Sequence, residues 1–333
     1  MGQLECFQVC LLRKAGFRSV QFTVIIKVFD LLNSQYYYNT SKMQKANIFK
    51  VGLCQIKTIA DKQLNLKRAE EMVREAAANG ADIIILPEMF VTPYTKHYML
   101  KDKEPLTDDY KTNDKCQTSK LLSGLAKSLS KYIIGGSFPE QVEGKDKIYN
   151  TCLCFNREGD IVAQHRKLHM FDINIPGGIT FYESEYVQSG PPQVTIFETE
   201  YCKIGVGICY DIRFPEYAQL MNAKGAQVVA YPANFAMRTG ELHFDLLKKM
   251  RAVDTQCFLI ACGAATNKDD TSLFQSWGHS GVISPWGKAL AECEFEEGIL
   301  YADINLSEVK EVREQIMTSM HKRSDIYELL AKV

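Results

Sequence analysis

The sequence predicts a mixed α/β fold in which sheets are covered by helices, and three observations carry that expectation. Short apolar, β-branched runs alternate with segments of helical periodicity. Several of the runs are separated by turns short enough to close hairpins, which argues against a purely parallel, doubly wound sheet. No internal repeat, low-complexity linker or apolar run near the ~20 residues of a membrane helix interrupts the pattern. Composition agrees: of 333 residues, 46% are hydrophobic and 24% charged, which excludes a wholly disordered chain, a collagen or a coiled coil. Lys+Arg 39 against Asp+Glu 40 leaves a net charge of −1, with no bulk attraction for nucleic acid or an acidic membrane.

The regular pattern begins near Ala46. Ile48–Ile56 reads as a strand, after which Leu66, Ala69, Met72, Val73, Ala76 and Ala77 recur at helical spacing until Asn79-Gly80 stops them. Ile83–Leu86 is a continuous apolar run, the pattern of a strand buried on both faces. A helix over Leu121–Leu129 and a strand over Tyr132–Ile134 repeat the alternation. Ile148–Phe155 with Asp160–His165 predicts one hairpin, and Val194–Phe197 with Lys203–Ile208 a second. Helix Pro215–Lys224, strand Gln227–Tyr231, helix Glu241–Val253, strand Cys257–Cys262 and a hairpin across Pro285-Trp286-Gly287 complete the expected core. Neither GxGxxG nor GxxxxGK[ST] follows a strand, so a nucleotide cofactor is not supported.

Residues 1–45 stand apart from the domain expected over 46–323 and from a short tail, 324–333. They hold two acids, Glu5 and Asp30, several bases and an Asn-rich aromatic stretch. That composition suits a poorly ordered extension or an upstream start ahead of Met43, with a mitochondrial targeting peptide as the competing reading. Lys27 and Asp30 break the run Val20–Leu32, leaving it too short and polar to span a bilayer. The eleven cysteines are odd in number and contain no CxxC pair, which points to reduced thiols and a cytoplasmic address, with the mitochondrion as the alternative. Cys152-Leu153-Cys154 is expected to turn its two thiols to opposite sides of a strand.

Three segments carry chemistry. Glu88, in Leu86-Pro87-Glu88-Met89-Phe90, follows the buried strand, where α/β sheets place ligands and where burial raises a carboxyl towards general-base duty. Lys167, in His165-Arg166-Lys167-Leu168-His169, ends a hairpin strand; turned inward, its ammonium stabilises an oxyanion. Cys209 lies between an apolar strand and a helix that starts at Pro215, in Gly205-Val206-Gly207-Ile208-Cys209-Tyr210-Asp211-Ile212-Arg213-Phe214-Pro215. A nucleophile on such a strand-to-helix turn is exposed beside free backbone N–H groups. Each segment alone also has a bland reading: a surface Glu, a solvated basic stretch, a buried structural thiol.

Together, Glu88, Lys167 and Cys209 in their motifs resemble the Glu-Lys-Cys triad of the carbon–nitrogen hydrolases of the nitrilase superfamily. Ile148-Tyr149-Asn150-Thr151, His169-Met170-Phe171-Asp172-Ile173, Phe181-Tyr182-Glu183-Ser184, Arg251-Ala252-Val253-Asp254-Thr255-Gln256, Trp277-Gly278-His279-Ser280 and Pro285-Trp286-Gly287 look like its ω-amidase branch. The resemblance implies a single-domain α/β fold of the four-layer α-β-β-α sandwich type, paired into homodimers, and Glu183 as a second carboxylate beside Lys167. It also implies hydrolysis of small dicarboxylate monoamides such as α-ketoglutaramate and α-ketosuccinamate through a Cys209 thioester, with the Tyr210 N–H in the oxyanion hole and neither metal nor cofactor.

The far carboxylate of such a substrate needs a cation, and Arg213 and Arg238 are candidates, with a structural role the favoured reading of Arg213. Thr239 and His243 join them as pocket candidates, in Asn234–Phe244, where the branch commonly has Thr-Thr-Gly-Pro-Ala-His-Trp and this chain departs from it. A structural role is the favoured reading of His243 and His279, and His97, His165 and His321 read as surface or locally hydrogen-bonded residues. The competing functions are an amidase for deaminated glutathione or another linear or carbamoyl amide, and a catalytically silent scaffold.

Overall fold

The computed structural model describes residues 48–177 and 180–332, so the expectations about residues 1–45 fall outside it. In chain order, β1 (Ile48–Gln55) leads to α1 (Lys62–Ala78), whose first turn is capped by the Asp61 side chain accepting from the N–H groups of Gln63 and Leu64. Next come β2 (Ile83–Ile85), α2 (Lys96–Lys101), α3 (Gln117–Leu129), β3 (Tyr132–Ile134), β4 (Phe138–Glu140), β5 (Tyr149–Phe155) and β6 (Ile161–Arg166). A small hairpin, β7 (Asp172–Asn174) and β8 (Thr180–Tyr182), precedes β9 (Ile196–Glu198), β10 (Lys203–Val206), a tight helical turn Cys209–Arg213 and α4 (Pro215–Ala223). The rest is β11 (Val228–Ala233), α5 (Asp245–Thr255), β12 (Phe258–Gly263), β13 (Gly281–Ile283), β14 (Ala289–Glu292), β15 (Gly298–Asn305) and α6 (Ser307–Gln315).

Two mixed sheets result. One has the order β15-β1-β2-β3-β5-β4 with β6 paired to β5, the other β14-β13-β12-β11-β10-β9. The centre of each is parallel, β1-β2-β3 and β10-β11-β12, and the flanks are antiparallel. Period-2 alternation sorts the layers: Ile83 and Ile85 join Ile204, Val206, Val228 and Ile260 in the core between the sheets, while Ile84 packs with Met72, Val73, Leu122 and Leu125 of the covering helices. On the second sheet α4 approaches β10 so closely that a Cβ on Gly205 would stand 2.5 Å from the Met221 sulfur. The architecture is the α-β-β-α sandwich.

The three expected hairpins form, β5 with β6, β9 with β10 and β13 with β14. Strand β15, which pairs antiparallel with β1 along eight residues, was not expected: its partner is far away in sequence, and local pattern carries no trace of that pairing. The helix expected over Glu241–Val253 is broken at its start, where Met237–Thr239 and a wide turn Gly240–Phe244 precede α5. The expectation for Cys152 and Cys154 is wrong. Side chains two apart share a strand face, so both thiols lie in the inter-sheet core and Leu153 in the helix-covered layer. No helix among the described residues is long and apolar enough to cross a membrane.

Candidate active site

Glu88 and Cys209 stand just beyond the ends of parallel strands, β2 in one sheet and β10 in the other, and Lys167 directly follows β6. The Glu88 N–H donates to Ala233 O at the end of β11, so the two sheets meet at the site. Cys209 has φ 43°, a left-handed conformation that disfavours a non-glycine residue by about 1–2 kcal/mol. Met89, next to Glu88, has φ 52° and is held by its N–H on Ser137 Oγ at 3.0 Å. Both turns re-aim the chain abruptly, as the strand-to-helix reading of Cys209 requires.

The side chains converge in a water-poor cluster. Glu88, Lys167 and Glu183 are fully buried, and Cys209 is 6% exposed. Lys167 Nζ donates to Glu88 Oε1 at 2.8 Å, to Tyr94 OH at 3.0 Å and to Glu183 Oε2 at 2.9 Å, with Glu183 Oε1 at 3.2 Å. Those contacts engage all three ammonium protons. Tyr94 OH donates onward to Glu183 Oε1 at 2.7 Å, and the Phe171 N–H to Glu183 Oε2 at 2.7 Å. Asn150 Nδ2 donates to Glu88 Oε1 at 2.8 Å. Glu88 Oε2 is buried and has no hydrogen-bond partner there. Cys209 Sγ accepts from the Asn234 N–H at 3.5 Å.

Two carboxylates around one ammonium set the electrostatics. Burial pushes the Glu88 carboxyl above its ordinary value; Lys167 opposes the shift and the charge of Glu183 adds to it. Burial likewise pushes the Cys209 thiol well up, reinforced by the charge of Glu88. Lys167 stays an ammonium: burial disfavours its charge, but Glu183 and Glu88 outweigh that and raise it. The nucleophile is therefore a neutral thiol at neutral pH and needs a base, and Glu88 Oε2 is the free acceptor beside it. Tyr210 occupies the second position of the turn that Cys209 opens, where an N–H has no acceptor within the turn.

The pocket candidates separate. Arg213 Nη1 meets His243 Nδ1 at 3.2 Å, and its guanidinium lies 5.4 Å from the Tyr210 ring centroid and 5.2 Å from that of Phe235. Arg213 forms no ion pair among the described residues, and its buried Nε has no partner. Arg213 is thus a half-buried cation four residues along the turn from Cys209. Arg238 is exposed on its turn, and the Thr239 hydroxyl donates locally to Ala236 O at 3.3 Å; neither is brought to the triad. A hollow of about 240 Å³ beside His169 and Phe214 is lined by none of Glu88, Lys167, Glu183 and Cys209, so it is not where an amide would meet the thiol.

Sequence reasoning gave no role to Tyr94 or Asn150, although both touch the charged cluster. Asn150 left a signal, since a polar residue inside the wholly buried strand β5 must find partners. Tyr94, in a loop, left none. His165 was read as a surface or locally bonded residue, yet it is fully buried and its partners lie 30 and 46 residues away. Alternation along β6 explains the correction: His165 and Lys167 turn inward together, and Arg166 between them turns to Glu140 on the other side.

Comparison with known proteins gives a consistent result. Residues 50–314 match the family model of carbon-nitrogen hydrolases. Omega-amidase NIT2 of Bos taurus is 43% identical over 284 residues, covering 85% of this chain and 98% of that protein. Omega-amidase NIT2 of Homo sapiens is 42% identical over 279 residues, covering 84% and 96%. Among solved structures, Nit3 of Saccharomyces cerevisiae, a member of branch 10 of the nitrilase superfamily, superposes with a TM-score of 0.73 at 35% identity, over 81% of this chain and 94% of that one.

Proposed function

The chain belongs to the carbon–nitrogen hydrolase family of the nitrilase superfamily, and from that premise we propose that it hydrolyses the terminal amide of small dicarboxylate monoamides, of which α-ketoglutaramate and α-ketosuccinamate are the first to test. The observation that carries this reading is the unpartnered, buried Oε2 of Glu88 beside a neutral Cys209 thiol, with an unpaired Arg213 on the same turn as the thiol.

Glu88 accepts the Cys209 proton, and the sulfur attacks the amide carbonyl to form a tetrahedral adduct. The Tyr210 N–H donates to the oxyanion, a contribution of about 3 kcal/mol for one such donor. Lys167 acts through its charge, because its three protons already point at Glu88, Tyr94 and Glu183. Glu88 returns the proton to the nitrogen, ammonia leaves, and a thioester remains on Cys209. Glu88 then takes a proton from water, whose oxygen attacks the thioester; the acid departs and the thiol is restored. Arg213, steadied by His243, receives the far carboxylate as a charge-assisted pair.

We propose further that two copies pair through the exposed apolar face of α5. A reducing compartment such as the cytoplasm accords with the nine described cysteines, all of them free.

Steady-state kinetics on a panel of α-ketoglutaramate, α-ketosuccinamate, deaminated glutathione and neutral linear amides, with intact-mass detection of an acyl-Cys209 adduct, tests the reading. Turnover of the dicarboxylate monoamides that vanishes in Cys209→Ala supports it. Preference for deaminated glutathione would overturn the substrate, retained turnover in Cys209→Ala the mechanism, and absence of any turnover the enzyme itself.

A further inference from the structure

A single buried carboxylate ties the segment bearing Lys167 to the segment bearing Cys209. Asp211 is fully buried, and four donors reach it. Its Oδ2 accepts from His165 Nε2 at 2.9 Å and from the Ile208 N–H at 2.9 Å. Its Oδ1 accepts from His169 Nδ1 at 2.7 Å and from the His169 N–H at 3.0 Å. A carboxylate only accepts, so both imidazole nitrogens that face it carry hydrogen. Those hydrogen bonds outweigh burial and hold the Asp211 carboxyl far below its ordinary range, so it is charged throughout the working pH range.

The placement of the four donors is what matters. His165 and His169 flank Lys167 on either side, at the end of β6 in one sheet. Ile208 directly precedes Cys209, beyond β10 in the other sheet, and Asp211 sits on the same turn as the nucleophile. The histidines are themselves held: His165 Nδ1 pairs with Thr195 Oγ1 at 2.9 Å, and the His169 ring stacks on Phe214 at 3.6 Å between centroids. The Ile208 bond braces the residue entering the left-handed Cys209 conformation, which the backbone by itself disfavours. Neither histidine hydrogen-bonds to a triad side chain, so this network acts through the backbone.

We propose that Asp211 is a positioning residue for amide hydrolysis: its carboxylate, shared between His165 and His169, fixes the Lys167 segment against the Cys209 turn and so sets the alignment of ammonium, thiol and Glu88. The inference rests on the triad assigned above. It does not place Asp211, His165 or His169 in contact with substrate.

The test is Asp211→Asn, which keeps the shape but turns an NH₂ towards two of the four donors, assayed beside wild type and Cys209→Ala. A loss of alignment near 1 Å lowers kcat about 30- to 100-fold, while KM moves by no more than about threefold because substrate contacts are kept. The acid limb of kcat/KM reports Glu88, which faces Lys167, Glu183, Tyr94 and Cys209; with Lys167 held less closely, the limb moves up by about half a pH unit. Far-UV circular dichroism and thermal unfolding report the folded fraction. An unchanged kcat overturns the proposal, as does a loss that matches the unfolded fraction with the acid limb unmoved, or a change confined to KM. Should Asp211→Asn fail to fold, His169→Asn, at a half-exposed position, removes one bond: a fall in kcat with the limb displaced upward supports the proposal, and an unmoved limb overturns it. Inactive wild type or active Cys209→Ala instead removes the triad reading on which the inference rests.

Discussion

Glu88 meets Lys167 through Oε1 alone, at 2.8 Å, and keeps Oε2 buried without a partner. Glu183, by contrast, presents both oxygens to the same ammonium, at 3.2 and 2.9 Å. The two carboxylates are therefore unequal: Glu183 anchors the cation, and Glu88 has an oxygen left for a proton.

Glu88→Gln is expected to lower kcat by about 10²- to 10⁴-fold, the usual worth of a general base, without loss of stability. Folding raises the Glu88 carboxyl, so its contribution to stability is full below the unfolded value and declines as pH rises through the folded one. Glutamine keeps the shape without the charge whose burial raises the carboxyl, and Lys167 keeps its pair with Glu183. Steady-state kinetics and thermal unfolding at pH 7 check both halves; a melting temperature below wild type contradicts the second.

Glu183→Gln should displace the acid limb of kcat/KM in the opposite direction to Asp211→Asn. The charge of Glu183 is one cause of the raised Glu88 value, so its removal lets Glu88 ionise at lower pH and moves the limb down. The same change breaks a buried ion pair, for which the cost is about 3–5 kcal/mol, and the melting temperature falls. A pH profile that stays in place would show that Glu183 acts on Lys167 only as a mechanical anchor.

The difference between these carboxylates was only partly legible in the sequence. Glu88, Lys167 and Cys209 each stand at a strand end within a recognisable motif, which is a local signal, and Glu183 followed from its resemblance to a family motif. Tyr94 and the sharing of Asp211 by two histidines were not legible, because Glu183 lies 89 residues from Tyr94, His165 and His169 lie 46 and 42 from Asp211, and only the fold brings them together. Strand β15 was missed for the same reason. His165 could have been found: once Lys167 is turned inward at the end of a strand, the residue two before it turns inward too.

Arg213→Ala should raise KM for dicarboxylate monoamides about 10- to 100-fold, since each hydrogen bond to a charged group contributes ~1.5–3 kcal/mol. Turnover of a neutral amide of similar length should be unaffected. Arg238→Ala should change neither, because that side chain is exposed on its turn. Parallel Michaelis–Menten curves for a charged and a neutral substrate separate the cases, and an equal loss on both would return Arg213 to a structural role.

The last expectation concerns assembly. Leu242, Leu246, Met250 and Val253 recur at helical spacing and are 55%, 61%, 50% and 51% exposed, so α5 and the turn before it present an exposed apolar face. In a two-fold pair the same patch faces itself, and a charge introduced there meets its own copy. Wild type is expected at twice the 37.8 kDa chain mass by light scattering, and Leu246→Glu combined with Met250→Glu at the single mass with unchanged circular dichroism. The patch also adjoins the site: Leu242 precedes His243, whose Nδ1 meets Arg213 at 3.2 Å. Pairing should therefore steady Arg213, proposed above to receive the far carboxylate, more than the triad, so the monomeric variant should show a higher KM for dicarboxylate monoamides with kcat nearly retained. A variant that remains dimeric, or a monomer that loses kcat at unchanged KM, would contradict that coupling.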